Sequence, residues 1–203
     1  MITVINSSNE QEFWDSRYEA HETGWDIGGP STPIKAYIDQ LNDKSISILI
    51  PGAGNAYEAA YLYENGYFNV TVLDISNYPI ENFKKNYPQF PENQLIVKNF
   101  FEFEGQFDLI LEQTFFCSFV PSIENRTLYA KKIAELLKPK GKLVGLWFDF
   151  PKTDDMIKRP FGGSLEEYIS YFEPYFSILT FEKSYNSIKP RSGNELFGIF
   201  QKI

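Results

Sequence analysis

The sequence predicts an α/β fold, in which a doubly wound, mostly parallel seven-stranded sheet carries helices on both faces and ends in an antiparallel C-terminal hairpin. Five short apolar strands alternate with segments of helical periodicity, a pattern typical of parallel strands joined by right-handed helical crossovers. Two further strands follow with only a loop containing Pro190 and Gly193 between them, which indicates the hairpin. The 203 residues, 43% of them hydrophobic, are enough for one core, and we expect a single domain over residues 1–203.

The N-terminal part predicts two helices that precede the alternating pattern. Ser8 begins a capping-box pattern, after which Trp14 and Tyr18 share one helix face at a spacing of four residues, and Gly24 ends the helix. A Gly-rich loop then leads to a second helix over residues 34–41, where apolar residues recur with a helical period.

The alternating part predicts five parallel strands and the helices that join them. The strands are predicted over residues 46–50, 70–73, 95–97, 107–111 and 142–148. The helices are predicted over residues 56–65, 78–87 and 123–137, and a turn at residues 139–141 leads into the fifth strand. The C-terminal part adds a helix over residues 164–172 and the hairpin strands over residues 176–185 and 195–201.

The charge and the scarcity of reactive side chains exclude several classes of function. A net charge of −8, without a cluster of Lys or Arg, argues against a nucleic-acid partner and favours small solutes. The first residues lack a secretory signal, and no apolar run reaches the roughly 18 residues of a membrane helix, so we expect a cytoplasmic protein without a membrane partner. Cys117 is the single cysteine and His21 the single histidine, so we expect no disulfide and no metal site.

A glycine turn after the first strand has the features of a nucleoside-binding site. Gly52 and Gly54 allow a sharp bend and a close approach to a ligand, and the next helix offers free N–H groups to an anion. Asp74 lies 22 residues after Gly52, at the end of the second strand, where a carboxylate accepts both hydrogen bonds of a ribose diol. The constellation therefore predicts a ligand that combines a nucleoside with a carboxylate, such as S-adenosylmethionine.

Three alternatives share parts of this pattern. A NAD-dependent oxidoreductase has the same sheet and acidic residue, but its fingerprint has a third glycine where this chain has Tyr57, which favours S-adenosylmethionine. A nucleic-acid adenine methyltransferase needs an Asn/Asp-Pro-Pro-aromatic turn after the fourth strand, where residues 112–115 read Glu-Gln-Thr-Phe. A non-catalytic adenosylmethionine-binding sensor stays open, because a fold does not fix a function.

Several motifs match a known family in order along the chain: FWDSRY, GWDIG, ILIPGAGNAYEA, VTVLDIS, FDLILEQTFFCSFVP, LLKPKGKLVGLWF and IKPRSG. With these motifs the chain resembles the thiopurine methyltransferase family, including the halide and thiocyanate methyltransferases, from about residue 13 to residue 203. The resemblance implies the fold and the activity of a class I S-adenosylmethionine-dependent methyltransferase.

The resemblance also implies a cofactor site. Together with the glycine turn, the predicted cofactor-binding residues are Trp14, Tyr18, Trp25, Gly52, Gly54, Asp74, Ile75, Asn99, Phe100 and Gln113. The resemblance places Asn99 and Phe100 beside the adenine and Gln113 near the methionine part. The halide enzymes have Trp, Asp and Tyr where this chain has Tyr18, Asn99 and Gln113, so halide as the acceptor does not follow. The two tryptophans suit a sulfonium, because aromatic faces attract cations by about 0.5–2 kcal/mol each.

The acceptor pocket is predicted between an N-terminal helical cap, residues 8–41, and the segments 115–119 and 159–163, which follow strand ends. Its candidate residues are Phe116, Cys117, Phe161, Arg159 and Arg191. The first three are predicted walls, with the cysteine as a small hydrophobic residue, and the two arginines are candidates to orient an anionic acceptor.

These observations predict an enzyme that moves a methyl group from S-adenosylmethionine to a small soft nucleophile by in-line displacement. A thiolate, halide or thiocyanate needs no general base, which agrees with the absence of a His or Cys constellation. We expect a small-molecule acceptor and a monomer or weak dimer. Glu112 ends a buried strand, where a carboxylate either caps a helix or lies near a cofactor amine, and both roles stay open.

Overall fold

The structure is a computed structural model that describes residues 7–151 and 159–203. The helices are α1 Ser7–Glu19, α2 Thr32–Asp39, α3 Tyr57–Glu64, α4 Asn77–Asn86, α5 Ile123–Leu136 and α6 Leu165–Phe172. The strands are β1 Ile48–Pro51, β2 Val70–Asp74, β3 Leu95–Val97, β4 Phe107–Gln113, β5 Leu137–Phe148, β6 Phe176–Lys183 and β7 Glu195–Lys202. Short 3-10 turns lie at Glu92–Gln94, Phe100–Glu102, Phe116–Ser118 and Lys189–Arg191.

The seven strands form one sheet in the order β3-β2-β1-β4-β5-β7-β6. The first five strands run parallel, and β7 is antiparallel to both β5 and β6. The predicted doubly wound sheet with an antiparallel C-terminal hairpin is therefore confirmed. Because β1 has β2 on one side and β4 on the other, the strand order reverses there, and such a point leaves a crevice at the carboxyl ends of the strands.

Apolar residues on both faces of the sheet explain why helices cover both faces. β1 is buried along its whole length, and its side chains alternate between two clusters, with Leu49 in one and Ile48 and Ile50 in the other. The first cluster includes Ile133 of α5 and Phe172 of α6, and the second includes residues of α2, α3 and α4. A strand buried on both faces needs an apolar side chain at each position, which is why the central strands read as continuous apolar runs.

The start of β5 differs from the prediction. The strand begins at Leu137, so the turn predicted at residues 139–141 lies within it. Its pairing with β4 shifts register after Phe107, which makes the turn a bulge in a continuous strand. Gly141 fits this bulge because a Cβ at that position would lie only 3.0 Å from the carbonyl oxygen of Phe107.

The first helix is shorter than predicted. It ends at Glu19, before the predicted end at Gly24, and the side chain of Ser8, the predicted cap, lies outside the described part of the chain. α1 packs beside α4, where the Ser76 hydroxyl donates to the Asp15 carboxylate over 2.6 Å. In the described ranges, no helix combines the length and the apolar character needed to cross a membrane.

Candidate active site

A large cavity opens at the carboxyl ends of β1, β2 and β4, beside α1 and the loop that follows it. Its volume of about 820 Å³ lies in the range of cofactor and small-molecule sites. The residues predicted to bind the cofactor all line it: Trp14, Tyr18, Trp25, Gly52, Gly54, Asp74, Ile75, Asn99, Phe100 and Gln113. Of the acceptor candidates, the cavity is lined by Cys117, Arg159 and Arg191.

The glycine turn after β1 has a backbone that favours glycine. The φ angles of Gly52 and Gly54 are +56° and +52°, in the left-handed region. A Cβ at Gly52 would lie 2.0 Å from Cδ2 of Phe115, and a Cβ at Gly54 would lie 3.4 Å from the Tyr18 hydroxyl. The two glycines therefore leave the turn open to close approach by other groups, as a ligand contact through the backbone requires.

Asp74 is fixed at the end of β2 by backbone hydrogen bonds. The N–H of Gly54 donates to Oδ2 and the N–H of Ser76 donates to Oδ1, each over 2.9 Å. Each carboxylate oxygen can accept a second hydrogen bond. Asp74 is 8% exposed, and burial raises its pKa to about 6, so the carboxyl group is mostly ionised at neutral pH. Such a carboxylate suits the two hydroxyl groups of a ribose.

Trp14, Tyr18 and Trp25 form an aromatic cluster at the cavity. The ring of Trp25 lies nearly perpendicular to Trp14 and to Tyr18, with centroid distances of 5.2 and 5.6 Å. Burial raises the pKa of Tyr18 far above its usual range, so the phenol stays uncharged. Aromatic rings gathered on one wall suit a cationic or planar ligand.

The loop that carries Trp25 is attached to the glycine turn and α3 through Asp26. The Asp26 carboxylate accepts hydrogen bonds from the Gly28 N–H over 2.8 Å, the Asn55 amide over 2.5 Å and the Tyr57 hydroxyl over 3.2 Å. Tyr57 stands where a dinucleotide fingerprint has its third glycine. In this chain the Tyr57 side chain instead holds the loop that carries Trp25 beside the cavity.

The remaining predicted cofactor residues differ in whether contacts within the protein already occupy their side chains. The Asn99 side-chain oxygen accepts the N–H of Phe101 over 2.9 Å, and the buried Phe100 ring lies 5.1 Å from that of Phe115. The Gln113 side-chain oxygen is buried without a hydrogen-bond partner in the described residues. Because an unsatisfied buried acceptor costs about 1–3 kcal/mol, Gln113 indicates a polar group that a ligand or water brings to this cavity.

Phe116 and Phe161, which the sequence predicted as walls of the acceptor pocket, are core residues instead. The Phe116 ring packs 4.9 Å from Tyr129 and 5.5 Å from Tyr168. Phe161 is fully buried, and its N–H donates to the Cys117 carbonyl over 2.8 Å. Large apolar rings gain more from core packing than from lining an open cavity. The aromatic residues that do line the cavity include Phe115, Phe119 and Phe148.

Arg159 and Arg191 line the cavity and also tie the N-terminal part to the rest of the chain. A guanidinium nitrogen of Arg159 lies 3.1 Å from a Glu10 carboxylate oxygen. Arg191 donates to the Trp25 carbonyl over 2.9 Å and lies 3.4 Å from the Glu195 carboxylate. A glutamate therefore balances each guanidinium charge, and the structure shows both arginines holding the N-terminal residues beside the cavity.

Cys117 and Glu112 lie near each other at the cavity. Burial raises the pKa of the Cys117 thiol far above its usual range, so the cysteine is a wall of the cavity and not a nucleophile. Glu112 is 1% exposed and lines the cavity, and burial raises its pKa to about 8. Its Oε1 accepts the N–H groups of Phe115 and Phe116 over 2.8 and 2.9 Å, so Glu112 caps the short turn that follows β4.

Further residues line the cavity that were not among the individually predicted site residues. They include Glu10, Phe13 and Asp26 of the predicted cap, Phe115 and Phe119 of the predicted segment 115–119, and Asn55, Glu58 and Phe148. Asp26 and Phe115 stand in the motifs GWDIG and TFFC, so the sequence did carry a signal for these two. Glu10 is held at the cavity by Arg159, which lies 149 positions later in the chain. No local sequence pattern reveals such a contact.

Comparison with known proteins gives consistent matches. The sequence profile described as "Thiopurine S-methyltransferase (TPMT)" matches residues 9–202. "Probable thiol methyltransferase 2" of Arabidopsis thaliana is 30% identical, covering 98% of this chain and 88% of the relative. "Thiocyanate methyltransferase 1" of the same plant is 28% identical, covering 100% and 90%. A Burkholderia thailandensis 1,6-didemethyltoxoflavin-N1-methyltransferase structure with bound S-adenosylhomocysteine has a similar fold, with a TM-score of 0.77, 18% identity and coverage of 97% and 88%.

Proposed function

The chain belongs to the thiopurine S-methyltransferase family, and on this premise we propose that it transfers a methyl group from S-adenosylmethionine to a small soft nucleophile. Family membership confirms the predicted class of enzyme, a methyltransferase that uses S-adenosylmethionine. The acceptors that we propose are a thiol, a thiopurine-like compound, a halide or thiocyanate. When bound, the cofactor supplies a methyl group on a sulfonium, which such a nucleophile takes by direct in-line displacement.

The observation that carries the cofactor assignment is the hydrogen bond from the Gly54 N–H to Asp74. It brings a glycine turn and a buried carboxylate to the same wall of one cavity, where a ribose and a carboxylate-bearing chain find complementary groups. The aromatic cluster and the unpartnered oxygen of Gln113 line the same cavity. These groups support binding of S-adenosylmethionine through its nucleoside, sulfonium and amino-acid parts.

The acceptor side supports a soft nucleophile that arrives ready to react. The single histidine, His21, is exposed and does not line the cavity, and Cys117 stays a thiol. The rings of Phe115 and Phe119 provide a polarizable apolar wall. A halide, thiocyanate or thiolate needs alignment and exclusion of water more than it needs a base, and an apolar lining without a base supports such an acceptor.

We also propose that neither nucleic acid nor a membrane takes part and that the protein is a monomer or weak dimer. A net charge of −8 supports the first statement, because phosphate groups repel such a surface. Sedimentation at several protein concentrations measures the oligomeric state. A stable assembly larger than a dimer would contradict the second statement.

The test of the function incubates the protein with methyl-labelled S-adenosylmethionine and, separately, iodide, bisulfide, thiocyanate and an aromatic thiol. We expect labelled methylated product from at least one acceptor. Calorimetric titration with S-adenosylmethionine and with NAD is the accompanying binding measurement. Cofactor binding without product from any acceptor would instead favour a non-catalytic sensor, and binding of NAD alone would favour an oxidoreductase.

A further inference from the structure

A buried acid on the acceptor side of the cavity has one polar atom that the fold does not use. Oε1 of Glu112 caps the turn at Phe115 and Phe116. Oε2 of Glu112 is buried and has no hydrogen-bond partner within residues 7–151 and 159–203. Since Glu112 lines the cavity, this unsatisfied oxygen indicates that a ligand group or water completes its hydrogen bonding.

The charged and titratable groups near Glu112 balance one another when its carboxyl group is protonated. Arg191 and Glu195 face it from the C-terminal part of the chain and pair with each other at 3.4 Å. Cys117 of the following turn and Tyr129 of α5 are its other titratable neighbours, and burial holds the pKa of both well above the usual range. A neutral Glu112 therefore leaves this part of the cavity without net charge, and an ionised Glu112 makes it negative.

We propose that Glu112 donates a hydrogen bond from Oε2 to the methyl acceptor and admits an anionic acceptor only while it carries that proton. The proposal rests on the proposed function and assigns an acceptor-binding residue to it. An anion gains a charge-assisted hydrogen bond from a neutral carboxylic acid, whereas a carboxylate repels it. The acid keeps its proton throughout, so this role involves no general base.

The position of Glu112 favours the acceptor over the amino group of the cofactor. Successive side chains of a strand point to opposite faces, so Glu112 and Gln113, the last two residues of β4, are directed to different sides. A protonated Glu112 carries no negative charge to attract the ammonium group of the cofactor. Gln113, with its own unpartnered oxygen, stays available to the cofactor.

The proposal predicts a pH dependence that arises from the protein. Burial raises the pKa of Glu112 to about 8, so the protonated fraction falls about tenfold between pH 7 and pH 9. Thiocyanate and iodide remain anions throughout this range. With saturating cofactor, KM for either acceptor therefore rises about tenfold from pH 7 to pH 9.

The test compares the wild-type protein with the variants Glu112→Gln and Glu58→Gln. Gln at position 112 keeps an oxygen for the two N–H groups of the turn and an amide donor for the acceptor, but it does not ionise. Glu58 is the matched control, because it is a second buried cavity glutamate with a pKa raised by burial, and it accepts the N–H of Ser31 over 3.0 Å. We expect KM to rise with pH in the wild type and in E58Q and to stay constant in E112Q.

A second readout requires no turnover. The nitrile stretching band of thiocyanate, bound to the protein together with S-adenosylhomocysteine, responds to hydrogen bonding at its ends. We expect this band to shift between pH 7 and pH 9 in the wild type and in E58Q, and to stay fixed in E112Q.

Two results would overturn the assignment of Glu112 while methyl transfer is observed. One is the same pH dependence of KM in the wild type and E112Q. The other is a change of cofactor affinity in E112Q with unchanged KM for the acceptor, which would assign Oε2 to the cofactor. The absence of product from every acceptor at every pH would overturn the proposed function and this proposal together.

Discussion

The part of the cavity proposed for the cofactor and the part proposed for the acceptor are held by contacts of different reach along the chain. On the cofactor side, Gly54 donates through its backbone to Asp74, and both residues belong to one strand–turn–helix–strand unit. On the acceptor side, Arg191 donates to the carbonyl of Trp25, 166 positions earlier in the chain. Both contacts join a side chain to a backbone group, but the first closes within one local unit and the second brings together distant parts of the chain.

This difference predicts which replacements change the cavity and which leave it in place. Replacing a side chain beside the glycine turn leaves the backbone N–H groups and the end of β2 in place. Replacing one partner of a long-range pair changes the shape and charge of the acceptor pocket. We therefore expect replacements of the Tyr18, Asn99 and Gln113 side chains to leave in place the framework that presents the backbone and Asp74.

The largest expected effect comes from breaking the buried pair of the acceptor side. Replacing Arg191 by Met leaves Glu195, which is 3% exposed, without its counter-charge and removes the donor to the Trp25 carbonyl. We expect the free energy of unfolding to fall by about 3 kcal/mol in chemical denaturation. The double variant R191M/E195Q should recover most of this loss. A loss under about 1 kcal/mol in the single variant would mean that this pair does not hold the acceptor side.

The matching change on the cofactor side is Gly52→Ala. Its Cβ would overlap the Phe115 ring at 2.0 Å, and alanine is strained at a φ of +56°. We expect a loss of about 2 kcal/mol in the free energy of unfolding. Gly24→Ala is the control, because its Cβ meets no atom within 4 Å and its φ is not positive, and it should change stability by at most about 0.5 kcal/mol. Equal stability of the two variants would refute a backbone-defined turn.

Acidification should weaken cofactor binding through Asp74. Only its ionised form accepts both ribose hydrogen bonds, and burial raises its pKa to about 6, with the Asp15 carboxylate adding to the shift. The α-carboxyl and α-amino groups of the cofactor do not titrate between pH 5 and pH 7. We expect affinity for S-adenosylmethionine to fall about tenfold as the pH falls from 7 to 5, measured by calorimetry. The variant Asp74→Asn should show a flat profile, and a flat profile in the wild type would contradict this role.

The smallest expected effect comes from the ion pair between α1 and the chain after β5. The side chains of Glu10 and Arg159 are 24% and 14% exposed, so solvent screens their attraction in part. A double-mutant cycle with Glu10→Gln and Arg159→Met should give a coupling of about 0.5–1 kcal/mol in the free energy of unfolding. Hydrogen exchange in α1 should accelerate in each single variant. No coupling and unchanged exchange would show that this pair does not hold α1.

The fold was largely predictable because its signals are local. Alternation of apolar strands with helical periods gave the parallel sheet, and two consecutive strands gave the hairpin. The start of β5 was predicted wrongly because a Pro-Lys-Gly sequence signals a turn, and whether it ends a strand or forms a bulge depends on the pairing with β4. The end of α1 was predicted wrongly because glycine commonly ends a helix, which pointed to Gly24, whereas the helix already stops at Glu19.

Site residues that lie close together in the sequence were predictable, and those brought together only by the fold were not. Gly52, Gly54 and Asp74 follow from spacing along a single unit and line the cavity as predicted. Phe116 and Phe161 lie in the core and do not line the cavity, because an aromatic residue can turn either way and only the packing decides, which for Phe116 is the contact with α5 and α6. The contacts of Arg159 with Glu10 and of Arg191 with Trp25 were missed because each joins residues more than a hundred positions apart.

The most direct test of the account measures binding of S-adenosylmethionine to the wild type and to Asp74→Ala by calorimetry. A buried hydrogen-bonding carboxylate contributes about 1.5–3 kcal/mol, so the variant should bind at least about tenfold more weakly. Asp43→Ala is the matched control, since it removes a carboxylate from an exposed loop that does not line the cavity, and it should bind like the wild type. Affinity that is unchanged in a folded Asp74→Ala protein would contradict the placement of the cofactor beside Asp74.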